Sequence, residues 1–170
     1  MNVSKKLTLS LFLIVNFLFG IEVNLVQAIK YNHNSITIPE LKKKVDFKVL
    51  TPQDIPADWT LDIKTYPWDE KENITDFKLH YMDKNDKFLM IGIEEKKVFG
   101  NLEKIARKEK ELNINRYKGY YSSFKPSINN EILWVEFYVG IIMIHTYIEM
   151  YSSTLTEEQM INIAKSMEYK

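Results

Sequence analysis

Apolar and polar residues alternate with a period of two along much of this chain, which predicts strands, because successive strand side chains point to opposite faces. Phe47 and Val49 flank Lys48, and Trp59, Leu61, Ile63 and Thr65 alternate with Thr60, Asp62 and Lys64. Between these two strands, residues 51–58 hold Pro52 and Pro56, which fix φ and remove two backbone donors, so a loop is expected there. Phe77, Leu79 and Tyr81 precede Asp83-Lys84-Asn85-Asp86, and Phe88, Met90 and Gly92 follow it. Asn and Asp tolerate the left-handed backbone of a tight connection, so this stretch reads as a β-hairpin. Leu112 and Ile114, then residues 117–124, read as a further strand pair. Residues 101–111 fit either a helix with Leu102, Ile105, Ala106 and Leu112 on one side, or an irregular charged excursion. Residues 132–150 form the strongest strand signal, and Gly140 predicts a tight turn dividing them into 132–139 and 141–150. Glu136, His145, Thr146 and Glu149 within that run would each be costly at bilayer depth, which disfavours a membrane span.

The period changes at the C-terminus. Thr156-Glu157-Glu158-Gln159 matches the capping box, in which the threonine hydroxyl and the glutamine side chain satisfy each other's backbone amides. Leu155 and Met160 can staple the helix start, and Met160, Ile163, Ala164 and Met167 then recur at helical spacing as one apolar stripe. Glu157 and Glu158 suit the positive end of the helix dipole. These elements predict an α+β domain over residues 45–170: a curved antiparallel sheet of about seven strands with one C-terminal helix packed on a face.

The chain before this domain has another composition. Lys5 and Lys6 precede a fifteen-residue run, 7–21, in which Thr8, Ser10 and Asn16 are the polar residues, and small or aliphatic residues follow up to Ala28. Basic, apolar, then small is the order of a secretory signal peptide. A span of the bilayer needs about 20 apolar residues, so cleavage after Ala28 is expected over retention as an anchor. Residues 29–44 mix Asn, Ser, Thr and Lys with little periodicity and read as a leader or tether, with a short helical turn at Pro39-Glu40-Leu41.

The chain holds no cysteine, which excludes both a disulfide framework and a lipid-modified cysteine after the signal. Loss of Lys5, Lys6 and Glu22 with the signal takes 23 basic and 23 acidic residues to a net charge near −1. That balance gives no electrostatic reason to expect nucleic acid or an anionic membrane as a partner. Membrane contact is expected only through an uncleaved N-terminal segment.

Phe47-Lys48-Val49-Leu50-Thr51-Pro52, then Ile55-Pro56-Ala57-Asp58-Trp59-Thr60-Leu61, and later Leu133-Trp134 with the closing hairpin and the helix ending Ile163-Ala164-Lys165-Ser166-Met167, resemble the bacterial domain of unknown function family 4367. The resemblance covers roughly residues 45–170, with Asp58 where that family usually has glycine and Trp59 where tyrosine is common. It implies a domain working outside the membrane of spore-forming Gram-positive bacteria, and it implies no catalytic activity.

The residues themselves carry no catalytic or cofactor motif. His33, His80 and His145 lack metal-ligand spacing. Asp83, Asn85 and Asp86 are too few for a calcium loop and suit a turn. Ser122 and Ser123 sit in no nucleophile motif. Glu136 and Glu149 are expected to face each other across a turn at Gly140, yet paired carboxylates without a cleft do not make a glycosidase. No cofactor and no metal are expected. The surplus is aromatic. Tyr120 and Tyr121 are neighbours that must point to opposite faces of a strand, and Tyr66 and Trp68 flank Pro67 at a strand end. Exposed rings on a sheet mark a binding surface, so Tyr66, Trp68, Tyr120 and Tyr121 are the expected surface for a protein, glycan or lipid partner at the cell envelope. Two other expectations stand beside this non-enzymatic reading: a lipid- or lipoprotein-handling carrier with an apolar cavity, and a hydrolase joining His80 or His145 to a carboxylate.

Overall fold

The computed structural model describes residues 28–66, 73–99, 109–128, 131–132, 134–143 and 145–169. The signal segment, residues 101–108 and Trp68 lie outside the described residues. The N-terminal part carries β1 (Lys30–Tyr31), α1 (Ile38–Lys42) and β2 (Thr51–Pro52). Next come β3 (Thr60–Tyr66), β4 (Asp76–Met82), β5 (Leu89–Lys97), β6 (Lys110–Ile114) and β7 (Tyr117–Phe124). The C-terminal part adds β8 (Ser127–Ile128), β9 (Glu131–Ile132), β10 (Glu136–Met143), β11 (Thr146–Ser152), α2 (Glu157–Lys165) and β12 (Met167–Glu168). One sheet of eight strands, against about seven expected, runs β1-β3-β4-β5-β11-β10-β7-β6 and does not close. Its neighbours are antiparallel except for β1, which runs parallel to β3. Two-stranded ribbons join β2 to β12 and β8 to β9.

One face of this sheet is the core. Leu61 and Ile63, Phe77 and Leu79, Ile91 and Ile93, Ile148 and Met150, and Val139 and Ile141 are buried side by side across five strands. Ile38 and Leu41 of α1 and Met160, Ile163 and Ala164 of α2 belong to the same buried cluster. The capping box at Thr156 and Gln159 forms as expected, and α1 begins on a second one, Thr37 with Glu40.

Four expectations are corrected. Residues 29–44 are no tether: Lys30 and Tyr31 pair with Thr60 and Leu61, and Leu41 is fully buried. Residues 47–50 form no strand. Val49 and Leu50 are buried consecutively, and the Leu50 N–H donates to the Glu95 carboxylate at 3.2 Å instead of to a neighbouring strand. In the β4–β5 hairpin the expected inward set Phe88, Met90 and Gly92 is out of phase. The register shifts between Tyr81 and Met82, so Ile91, Ile93 and Glu95 face the core; one added residue turns every following side chain over.

The fourth correction concerns Gly140. It lies inside β10, opposite Tyr120 and Glu149, and the β10–β11 pairing runs on to Met143 and Thr146, next to which His145 takes φ 63°. A Cβ at Gly140 would stand 2.8 Å from the Tyr147 hydroxyl. The glycine makes room for a ring crossing the strand, which is the other physical meaning of glycine in a strand.

Candidate functional site

A wide concavity opens where the ends of β5, β7, β10 and β11 meet residues 45–48 and Tyr169, a cleft of about 1360 Å³. Strand register assembles it: Lys97 pairs with Thr146, Thr146 with Met143, and Ile142 with Lys118. Thus four neighbouring strands end side by side. The floor is apolar. Met143 and Thr146 are buried, and Val45, Phe47 and Tyr117 pack against the main core.

The rim is cationic. Among the described residues, Lys42, Lys48, Lys97, Arg116 and Lys118 line the cleft with His145, and Asp46 is the one carboxylate of the lining. Asp46 is spoken for, since it receives the Lys97 ammonium, whose hydrogen bond lowers the Asp46 pKa. Lys118 lies 3.5 Å from Glu111 across the β6–β7 pair, an exposed contact that leaves the local charge positive. Rings hold several of the cations: Lys42 and Lys48 stand 5.1 and 5.5 Å from the Tyr169 centroid, Lys97 lies 5.4 Å from Phe99, and the Arg116 guanidinium 5.2 Å from Tyr117. Cation–π contact of this kind orients long side chains at modest energy, about 0.5–1 kcal/mol each where solvent reaches them.

A second cavity of about 610 Å³ lies between the N-terminal segment and β3, walled by Tyr31, Ile38, Trp59, Leu61 and Tyr81 with Pro52 and Pro56. Its charged lining is Lys30 and Lys42, so it offers little convergent polar chemistry.

Of the residues expected from sequence as a binding surface, Tyr66, Tyr120 and Tyr121 can be placed. Tyr66 is half-buried at the end of β3, with Lys78 5.5 Å from its ring, and Trp68 lies outside the described residues. Tyr120 and Tyr121 do point to opposite faces, but they are 3 % and 8 % exposed and present no open ring. Burial first, then the Glu157 carboxylate, pushes the Tyr121 phenol up to about 12. The exposed large apolar residues stand elsewhere. Phe124, Ile128, Ile132 and Trp134 lie in or beside the β8–β9 ribbon, at the other end of β7 and β10 from the cleft, with Ile128 opposite Glu131 and Ile132 opposite Ser127.

The candidate chemical groups are also engaged structurally. His80 Nε2 lies 3.2 Å from the Tyr151 hydroxyl and faces Asp62 in register; burial lowers its pKa against the opposing pull of Asp62. Asp62 itself pairs with Lys64 at 2.7 Å. Glu136 accepts from Tyr138, and Glu149 accepts from Tyr147 at 3.0 Å. The two glutamates are not opposite each other, since Glu136 pairs with Phe124 and Glu149 with Gly140. Asp83 Oδ1 accepts the Lys87 and Phe88 amides at 2.6 and 2.9 Å, the bonding of a turn. His33 is exposed near the N-terminal strand, and His145 reaches the rim of the cleft. Ser122 is buried on β7, and Ser123 donates to Glu109.

A family profile described as "Domain of unknown function (DUF4367)" matches residues 49–167. The chain belongs to that family. Neither a search of curated proteins nor one of solved structures returns a match. The DUF4367 match includes Lys97, Arg116, Lys118, Met143 and Thr146 of the cleft, but not Lys42, Asp46, Phe47, Lys48 or Tyr169. Two of the five rim cations, Lys42 and Lys48, thus come from the segment before the matched region.

Proposed function

We propose that this DUF4367 domain is a non-enzymatic, exported binding module of the cell envelope, and that its ligand is an anion held in the cleft at the strand ends. The observation that carries the reading is the segregation of charge: in a chain with 23 basic and 23 acidic residues, the described residues lining this concavity include five cations and one carboxylate, Asp46, with Glu111 beside Lys118 at its edge. Guanidinium and ammonium groups suit recognition of phosphate or carboxylate, which they meet in charge-assisted hydrogen bonds. The burial of Met160, Ile163 and Ala164 with Val139 and Ile141 supports a helix packed against a curved sheet, which leaves the strand ends clear for binding. The export reading rests on the basic-apolar-small order of residues 1–28, and the Gram-positive setting on the resemblance already described.

Titration of the isotope-labelled domain with tripolyphosphate, followed by amide chemical shifts, tests the site. The expected result is saturable shifts confined to residues around Lys48, Lys97, Arg116 and Thr146. Shifts scattered over all surface lysines, or none, would remove the reading.

A second reading keeps the envelope partner but moves its surface. Phe124, Ile128, Ile132 and Trp134 are each about half exposed or more, and exposed apolar clusters of this kind commonly mark protein contacts. Replacing Ile128 and Trp134 by Ser should leave folding intact and abolish any such association, read by crosslinking in the native envelope.

A further inference from the structure

We infer that the anion taken by the cleft is the head of a lipid: a single-chain amphiphile whose phosphate sits among Lys48, Lys97 and Arg116 and whose tail runs over Met143 and Phe47. This rests on the binding site proposed above and adds the class of its ligand. Two observations point beyond a simple anion.

First, the floor is continuous with the hydrophobic core. Met143 is a member of the buried core cluster, and Val45, Phe47 and Tyr117 pack directly against it. Phe47 in turn stacks on the fully buried Phe77 at 5.8 Å between centroids. A site for inorganic phosphate or a sugar phosphate would line its floor with donors. Here the descent from rim to floor goes from cations to aliphatic and aromatic carbon, with Thr146 the polar exception.

Second, charge and exposure are stratified. Lys48 and Arg116 are exposed, Lys97 is half-buried, and Phe99 is 78 % exposed at the same rim. An exposed phenylalanine that holds Lys97 at this rim also suits a ligand that emerges from the cleft with both a charged and an apolar part. The cleft is also larger than the roughly 300–1,000 Å³ of common small-ligand pockets, so head and tail fit without movement of the sheet.

The test uses alkyl phosphates of eight, ten and twelve carbons, kept below their critical micelle concentrations, titrated calorimetrically into the mature domain. Tripolyphosphate and the uncharged dodecyl maltoside serve as the head-only and tail-only probes. Two more carbons on the tail should tighten binding about tenfold while they are still being buried, at about 0.8 kcal/mol per methylene. Lys48→Glu and Arg116→Glu, both at exposed positions, should each weaken dodecyl phosphate about tenfold, the scale of one charge-assisted hydrogen bond, and Phe99→Ala should weaken it less. Chain-length dependence together with sensitivity to both charge reversals supports the lipid assignment. If tripolyphosphate binds as tightly as dodecyl phosphate at the same residues, the lipid assignment fails while the anion site stands. Equal binding of dodecyl maltoside, indifferent to the charge reversals, overturns the anionic head. Absence of binding by any anion removes both proposals, and binding that begins only above the critical micelle concentration overturns the single-lipid site.

Discussion

The two faces of the eight-stranded sheet handle their aromatic residues in opposite ways. On the core face, Phe77, Tyr81 and Tyr121 are buried among aliphatic neighbours. On the other face, tyrosines lie across strand glycines and spend their hydroxyls on polar partners. Tyr151 covers Gly92, its register partner, and reaches His80. Tyr147 crosses Gly140 and donates to Glu149, while Tyr138 donates to Glu136 and lies 6.5 Å from the Tyr151 ring. An aromatic residue on the polar side of a period-two strand is therefore not free for a ligand merely because it misses the core. A glycine on the neighbouring strand gives it a socket, and aromatic–glycine pairing of this sort holds register.

The sharpest way to break this contrast is mutation of each face in turn, read by urea denaturation. On the core face, Ile141→Ala removes a buried side chain and should cost about 2–5 kcal/mol. On the other face, Gly92→Ala places a Cβ 2.3 Å from Tyr151 Cζ, and forced overpacking of this kind costs about 1–3 kcal/mol. Adding Tyr151→Ala should recover part of that loss. Were Gly92→Ala silent, the socket would be no constraint, and the polar-face rings would count again as available surface. Thr156→Ala, which removes the α2 cap, should follow with about 1 kcal/mol.

Each face also holds a carboxyl whose burial favours the protonated form, and the pH dependence of stability separates them. Asp76, on the polar face, is pushed up from 3.8 to about 6, first by burial and then by Glu94, against Lys96 and Lys78. Between those values the folded chain binds more protons than the unfolded one, so Asp76 makes stability fall as pH rises from about 4 to about 6, with no further loss above. Asp76→Asn should flatten that window in melting temperatures. Glu95, on the core face, has no exposed surface and an Oε1 without a hydrogen-bond partner, and burial raises its pKa well above the usual carboxylate range, against the Leu50 amide and Lys42. Its contribution to the slope should extend above the usual carboxylate range and disappear in Glu95→Gln. The smallest expected effect is Lys48→Glu at the cleft, within about 0.5 kcal/mol of the parent chain, which makes it a clean probe of binding.

The strand-rich architecture and its terminal helix were legible in the sequence where local signals agree with the tertiary setting. Leu61 and Ile63 alternate with polar residues as half-buried strands must, and the Thr156–Gln159 box is written within four consecutive residues. Legibility failed where one residue type has two physical uses. Gly140 reads as a turn until Tyr147, seven residues later, is seen lying across it. Asn, Ser and Thr in residues 29–44 read as a tether, although Ser35 Oγ accepts the Ile63 amide at 2.8 Å and caps the edge of β3. The β5 phase failed because a bulge at Tyr81–Met82 leaves no local mark.

The cleft was not legible at all. Its residues come from positions 42, 45–48, 97, 99, 116–118, 142–143, 145–146 and 169, and a net charge near zero conceals a local excess that only long-range pairing creates. What the sequence determined by itself was local: strand periodicity, the loop that holds Pro56 and the capped helix, each a matter of neighbouring residues and backbone chemistry. What only the tertiary structure decided was which strand ends lie together. Register and strand order, with β5 beside β11 and β10 beside β7, place five cations around one apolar floor, because hydrogen-bonded pairing brings together side chains that sequence distance keeps apart.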